Sequence, residues 1–255
     1  CDSVCRVGVG IRDRLEAAGA KLVIVPVPGK LDVQVAHADA DTAHGIATLY
    51  DAFLAGLRDQ GVAALDSRAA LRVDAARDTA FFHTDTHWTP LGAEHVAQAL
   101  AASGLVASGN TGFTVVTGPE RTFTGDLVSF VTTDSLAPML GLAAEVATPY
   151  TVTPETMGEG LDIFGGSEAG GTLLIGTSYS ANPTWSFAEA LKLALRRDVL
   201  NLAEEGRGPA EPMLRYLESD AFRDTPPELV IWEFPVRYLT DPSIWGAQGP
   251  VKSGA

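Results

Sequence analysis

Two short segments hold side chains that could do chemistry together. One is Gly176-Thr177-Ser178-Tyr179-Ser180, directly after the apolar run TLLI and ahead of a helical stretch. A serine at a strand-to-helix turn exposes its Oγ, and the backbone N–H groups that follow can hold an oxyanion. Serine and threonine also stand at such turns purely as helix caps, so these five residues alone admit both readings. The other segment is Phe82-His83-Thr84-Asp85-Thr86-His87-Trp88. If Asp85 to His87 is extended, alternation puts both side chains on one side. The carboxylate can then hold the imidazole Nδ1–H and leave Nε2 facing a serine. His83 shares that parity, so His83, Asp85 and His87 could instead be three ligands for zinc or iron. In a third reading Asp85 caps the helix opened by Thr89-Pro90 and the histidines only pack. The serine turn favours the first reading, a Ser178–His87–Asp85 relay with no metal or cofactor.

Two further loops could face the same chemistry. Glu204-Glu205-Gly206-Arg207-Gly208-Pro209 follows a strand, and its glycines let backbone N–H groups approach a ligand, although a plain turn reads the same way. In Trp232-Glu233-Phe234-Pro235-Val236-Arg237-Tyr238, Arg237 could bind a carboxylate or a sugar hydroxyl, or pair with Glu233. Tyr179, Trp88 and Trp185 could line a sugar-stacking groove or simply pack. His95 lies inside a helix, and His37 and His44 flank another; these three read as surface or core histidines.

Those side chains need a frame. Residues 6–19 read as a helix closing on Gly19, and KLVIVPVPGK as a buried parallel-type strand with a Pro/Gly loop at its carboxyl end. Apolar residues at helical spacing mark a helix over 41–60, stopped by Gly61, with a short strand from Val62 to Leu65. Thr89-Pro90 opens a helix to about Ala102. From about 104 to 170 helical periodicity is lost, and an irregular, β-rich insertion is expected. The rhythm then resumes: TLLI as strand, Asn182-Pro183 opening a helix to about Arg197, DVLNLAEEG as strand and loop. A helix from Pro209 to about Ser219 and the strand ELVIWEFPVRYL complete it. Continuous apolar strands alternating with helices predict a three-layer α/β/α fold with a mostly parallel central sheet. Ligands of such sheets sit beyond the carboxyl ends of the strands, here after Val27, Leu65, Ile175, Ala203 and Phe234.

Composition narrows the class. The chain has 255 residues, 46% hydrophobic and 20% charged, enough apolar material to offset its ordering entropy, and reads as a single domain over 1–255. Lys+Arg 18 against Asp+Glu 32 gives a net charge of -14, which would repel nucleic acid. No apolar run reaches the ~18–20 residues of a membrane span. The two cysteines, Cys1 and Cys5, do not decide the compartment. Cys1-Asp2 could be a lipidated mature N-terminus, or the chain could start inside a longer protein. An anchor would usually precede a polar linker, and here helix-like sequence follows almost at once.

The GTSYS turn and the DTHW segment upstream of it resemble the alginate O-acetyltransferase family of the AlgX/AlgJ type. VPVPGK, FTGDL, EEGRGP and WEFPVRYL extend that resemblance over about Leu22 to Tyr238. The family has a circularly permuted SGNH-hydrolase-like fold. Ordinary SGNH hydrolases place the serine turn first and the Asp/His segment last, and this sequence has the reverse order. The resemblance implies Ser178 as nucleophile, His87 as general base and Asp85 as its orienting carboxylate. It implies an oxyanion hole made by the Ser178 N–H and a donor on a neighbouring loop, with Gly206 or Gly208 as candidates. Tyr179, Arg207 and Arg237 are further candidates for oxyanion or substrate contact.

It also implies transfer of acetyl groups onto an exported polysaccharide in the periplasm, within an export complex whose acetyl donor is a membrane-bound O-acyltransferase. A polyuronate acceptor would be repelled by the net charge unless the groove is locally basic, as Arg121, Arg207 and Arg237 could make it. Some family members carry a carbohydrate-binding module, which AQGPVKSGA at the end of this sequence does not supply. A carbohydrate acetyl esterase and a catalytically silent glycan-binding subunit are the alternatives.

Overall fold

The computed structural model describes residues 2–72, 79–155 and 171–245. The first part runs α1 (Asp2–Ala17), β1 (Lys21–Val27), α2 (Lys30–Val33), α3 (Ala40–Asp59), α4 (Ser67–Leu71) and α5 (Pro90–Ala102). Four short strands follow: β2 (Phe113–Thr117), β3 (Arg121–Phe123), β4 (Glu145–Ala147) and β5 (Tyr150–Pro154). Then come β6 (Thr172–Ile175), α6 (Ser178–Ala181), α7 (Phe187–Leu195), β7 (Val199–Asn201), α8 (Glu211–Glu218), α9 (Asp220–Asp224) and β8 (Leu229–Pro235).

The central sheet has the order β1-β8-β6-β7, and every pairing in it is parallel. Its strands read as continuous apolar runs because both faces are covered. Alternation sends Leu22, Ile24, Ile175, Val230, Trp232 and Phe234 into a core with α1, α3 and α8. Val23, Val25, Leu174 and Ile231 point the other way, into a core with α5 and α7. The three-layer α/β/α architecture is as expected. No helix among the described residues is long and apolar enough to cross a membrane.

Four local expectations are corrected. Val62–Leu65 is not a strand but a single parallel bridge, Ile24 to Ala64. Ile24 N–H reaches Ala63 O and Leu65 N–H reaches Ile24 O, but Pro26, next along that edge, has no N–H to continue the ladder. The helix expected from Asn182 starts only at Phe187. Asn182 Oδ1 accepts Thr184 N–H and closes a 3₁₀ turn, and Ser186 at φ 54° breaks the path before α7. Pro209 lies ahead of α8, and a separate α9 follows it, capped by Ser219 Oγ on Phe222 N–H. His44 lies within α3 rather than beside it.

The insertion is β-rich over its described part, to residue 155; residues 156–170 lie outside the described residues. β2 pairs antiparallel with β5, and β3 with β4. It is stitched to α7 by Tyr150 N–H on Ser186 Oγ and Val152 N–H on Glu189 Oε2. A 3₁₀ turn, Asp126–Phe130, brings the insertion against the 82–88 segment. That contact shapes the site.

Candidate active site

β6 delivers Ser178 to the carboxyl edge of the sheet. Thr177 caps the one-turn helix α6, its Oγ1 accepting from Tyr179 N–H at 3.4 Å while donating to Glu233 Oε1 at 3.0 Å. Glu233, on β8, is fully buried and also accepts Thr177 N–H at 3.0 Å and Ser180 Oγ–H at 2.7 Å. One carboxylate thus holds the residues on both sides of the serine. Gly176 makes room for it, because a Cβ there would lie 2.5 Å from Glu233 Oε2. Burial pushes the Glu233 pKa up, against the hydrogen bonds from Thr177 and Ser180.

The 82–88 segment is a closed loop, not an extended strand. An antiparallel bridge between Phe81 and Trp88 shuts it. Within it Asp85 Oδ1 accepts both the His87 backbone N–H at 2.8 Å and Nδ1–H at 2.6 Å. Asp85 and His87 therefore meet through an Asx-type turn rather than through strand alternation. His83, freed from the expected parity, is exposed and lines another cavity. Groups from far along the chain grip this loop. Asp126 N–H donates to Asp85 Oδ2 at 3.0 Å, and the Asp126 carboxylate accepts Thr86 N–H and Oγ–H at 2.7 and 2.6 Å. Glu145 accepts from the Thr84 N–H and hydroxyl. The Lys30 ammonium donates to the carbonyls of Phe82, His83 and Asp85.

The two segments meet at His87. Its Nε2 lies 2.7 Å from Ser178 Oγ. With Nδ1–H committed to Asp85, Nε2 is the acceptor for the serine hydroxyl. The imidazole packs on Tyr179 and stacks on Trp185, ring centroids 4.6 and 5.1 Å away. Trp88 Nε1–H donates to Tyr179 O at 3.1 Å, tying the loop to the serine turn. Burial pushes the Tyr179 phenol up to about 12, so it stays protonated and donates to Thr86 O. A hydroxyl, an imidazole and a carboxylate in this chain can draw a proton from the serine and stabilise the imidazolium that results.

Burial works to raise the Asp85 pKa, but the hydrogen bonds from His87 and Asp126 outweigh it and hold the carboxyl below its usual range. A lowered folded pKa stabilises the fold fully above the ordinary carboxylate value, and that contribution is lost as pH falls through the lowered one. Wild type should therefore lose urea resistance relative to Asp85→Asn as pH drops below about 4. Denaturation midpoints of both proteins across that range check this. Parallel curves would refute the assignment.

A cavity of about 500 Å³ opens over Ser178 and His87, lined also by Arg121, Asn182, Trp185 and Glu205. The expected basic patch is divided. Arg121 lines this cavity, with Nη1 3.1 Å from Thr184 Oγ1, whereas Arg207 reaches Glu211. Arg237 donates to the Tyr179 hydroxyl at 3.0 Å and faces a different cavity. It does not pair with Glu233, which the serine turn occupies. Gly206 and Gly208 adopt φ of 71° and 67°, as a glycine turn requires, and neither lines the catalytic cavity. Asp85 does not cap α5; Thr89 does, accepting from Gly92 N–H. Trp88 and Tyr179 are core residues, while Trp185 is buried and also forms cavity wall.

The metal reading changes shape as well. Among the described residues the group that brings ligand atoms within 4.8 Å of one another is Asp85, His87 and Asp126, without His83. Their oxygens and Nδ1 are already engaged in the hydrogen bonds above. Sequence reasoning missed Glu233's role, and also Glu145, Asn182, Lys30 and Asp126. The last two stand inside VPVPGK and FTGDL, and an acid within the apolar run VIWEFP is itself a signal of a buried, satisfied carboxylate.

A parallel α/β sheet carrying a Ser–His–Asp chain beyond its strand ends, with the serine last in sequence, defines the class of the site. The sequence matches the family described as SGNH hydrolase-like domain, acetyltransferase AlgX, over residues 6–236, and the chain belongs to that family. It is 40% identical over 242 residues to the probable alginate O-acetylase AlgJ of Pseudomonas aeruginosa, covering 90% of this chain and 62% of that one. The solved O-acetyltransferase domain of Pseudomonas putida AlgJ superposes with a TM-score of 0.78 at 38% identity, over 93% of this chain and 82% of that one. Pseudomonas aeruginosa AlgX gives 0.76 at 25% identity, over 96% and 59%. The chain spans about three-fifths of the length of the curated relatives it matches.

Proposed function

We propose that this chain is the catalytic domain of a serine O-acetyltransferase that acetylates hydroxyls of an alginate-like exported polysaccharide. The observation that carries the reading is the pair of contacts at His87, 2.7 Å to Ser178 Oγ and 2.6 Å to Asp85 Oδ1. Ser178 Oγ attacks the acetyl carbonyl while His87 Nε2 takes its proton. The tetrahedral intermediate collapses, His87 returns the proton to the departing donor, and an acetyl-enzyme remains. A glycan hydroxyl then loses its proton to His87 and attacks the acetyl carbon, which restores the serine.

The oxyanion needs donors in the same cavity. Ser178 opens α6, so its N–H has no acceptor within the helix. Asn182 is the second donor in this reading. Thr184 N–H fixes its Oδ1 at 2.9 Å, which leaves the amide NH₂ for the cavity. Each such donor is worth about 10²–10³ in rate. Arg121 provides the positive charge beside the serine that a uronate acceptor requires. The relatives, named alginate O-acetylase and alginate biosynthesis protein, support the polysaccharide acceptor. A periplasmic site of action, within an export complex supplied with acetyl groups by a membrane-bound O-acyltransferase, is part of the same proposal and rests on the family resemblance.

Intact-protein mass spectrometry after exposure to an activated acetyl ester tests this. Wild type should gain one acetyl group, Ser178→Ala none, and added oligouronate should discharge the adduct faster than water does. Equal discharge by water and glycan would make the protein an esterase. No adduct would overturn the catalytic reading.

A further inference from the structure

The described residues enclose a further cavity beside the catalytic one. It lies on the other side of Tyr179, has a volume of about 660 Å³, and is built by the loop after β1, α2, one face of α3, and the turn after β8. Val27, Leu31, Ile46 and Leu127 give it an aliphatic wall. Lys30, His37, His83 and Arg237 face it, and among the described residues no carboxylate lines it. In a chain with 32 acids against 18 bases, that lining stands out. It suits an anion.

The bases do not contribute alike. The Lys30 ammonium is spent on three backbone carbonyls, and the carboxylates of Glu145, Asp85 and Asp126 act on its charge, so it offers an anion little of its own. Arg237 is the contact group. Its guanidinium lies 5.5 Å from the Tyr179 ring centroid and 5.1 Å from that of Tyr238, and Nη1–H donates to the Tyr179 hydroxyl. A guanidinium already held in place loses little freedom when an oxyanion binds it. The remaining lining offers few partners for sugar hydroxyls, with Gln34 and Thr86 as its other polar side chains of note. An aliphatic body satisfies such a wall better than a glycan does.

We propose that this cavity binds an amphipathic anion, an aliphatic chain with a phosphate or carboxylate head. The head sits on Arg237 and the chain lies along Leu31 and Ile46. Binding does not depend on acetyl transfer. Tyr179 nonetheless links the two cavities, with Arg237 near its ring and the His87 ring 4.6 Å away.

Titration calorimetry with decyl phosphate, kept below its micelle concentration, tests the site. One saturable site is expected, with decanol and inorganic phosphate each at least about tenfold weaker. Arg237→Gln should weaken decyl phosphate about tenfold or more, and Ile46→Asp should abolish binding. Neither side chain is fully buried, and circular dichroism verifies that both variants fold. Ser178→Ala should bind like wild type, so the site stands or falls apart from the catalytic reading.

Equal affinity for decanol, or indifference to both substitutions, would overturn the proposal. So would displacement by oligouronate, which would make the cavity an extension of the acceptor groove. Cosedimentation with phosphatidic acid vesicles, lost in Arg237→Gln, would assign the head group to a bilayer. Its absence, with decyl phosphate bound, would assign it to a soluble amphiphile.

Discussion

Ser178→Ala is expected to reduce acetyl-enzyme formation by about 10⁴–10⁶-fold while the protein stays folded. The serine is half-buried and its Oγ hydrogen-bonds His87 Nε2, so its loss leaves an acceptor and no buried donor without that partner. His87→Ala should cost a similar factor, because the hydroxyl then has no base within reach. The informative variant is the double one. Since the two groups act in a single proton transfer, removing both should cost no more than removing either alone. Single-turnover acetylation by an activated ester, measured for all four proteins, checks this. Additive losses would mean that serine and imidazole work separately, and the 2.7 Å contact would then have no catalytic content.

The sequence carried the sheet in plain view, because KLVIVPV, TLLI and LVIWEFP are apolar throughout and only strands covered on both faces need to be. It carried the serine turn and the Asp–His pair as well. The route by which Asp85 meets His87 was not legible. The two-residue spacing suits an extended strand and an Asx turn equally, and the Phe81–Trp88 bridge selects the turn. His83 illustrates the consequence, since only the extended reading put it beside the other two.

The groups that grip the loop come from far along the chain: Lys30, Asp126 and Glu145 reach it across 40 to 61 positions. Nothing local to those residues states their partners. Arg237 and Glu233 show the opposite failure, where nearness in sequence suggested an ion pair. A strand end sends the two in different directions, Glu233 beneath the serine turn and Arg237 over Tyr179.

Glu233 is where the fold and the chemistry depend on one buried group. Glu233→Ala would leave Thr177 N–H, the Thr177 hydroxyl and the Ser180 hydroxyl without their acceptor, each at about 1–3 kcal/mol. Unfolding free energy should therefore drop by at least about 3 kcal/mol, and calorimetric or urea denaturation measures it. The rate should suffer separately. Freed from Glu233, the Thr177 hydroxyl no longer needs to point its lone pair at Tyr179 N–H, and the cap that sets Ser178 slackens. A displacement near 1 Å at a nucleophile costs about 10²-fold in kcat.

Glu233→Gln separates the two effects, since it keeps the volume and one carbonyl but turns an amide donor toward a donor. It should recover part of the stability of Glu233→Ala while kcat stays low and donor KM changes little. The acid also predicts a pH signature. A carboxyl whose folded pKa is raised stabilises most below its unfolded value, and that contribution is lost as pH rises through the folded one. The stability advantage of wild type over Glu233→Gln should thus shrink from about pH 4 upward. A wild-type kcat in Glu233→Ala would show that the serine turn holds its geometry without the carboxylate, and that Gly176 leaves room for a group the chemistry does not need.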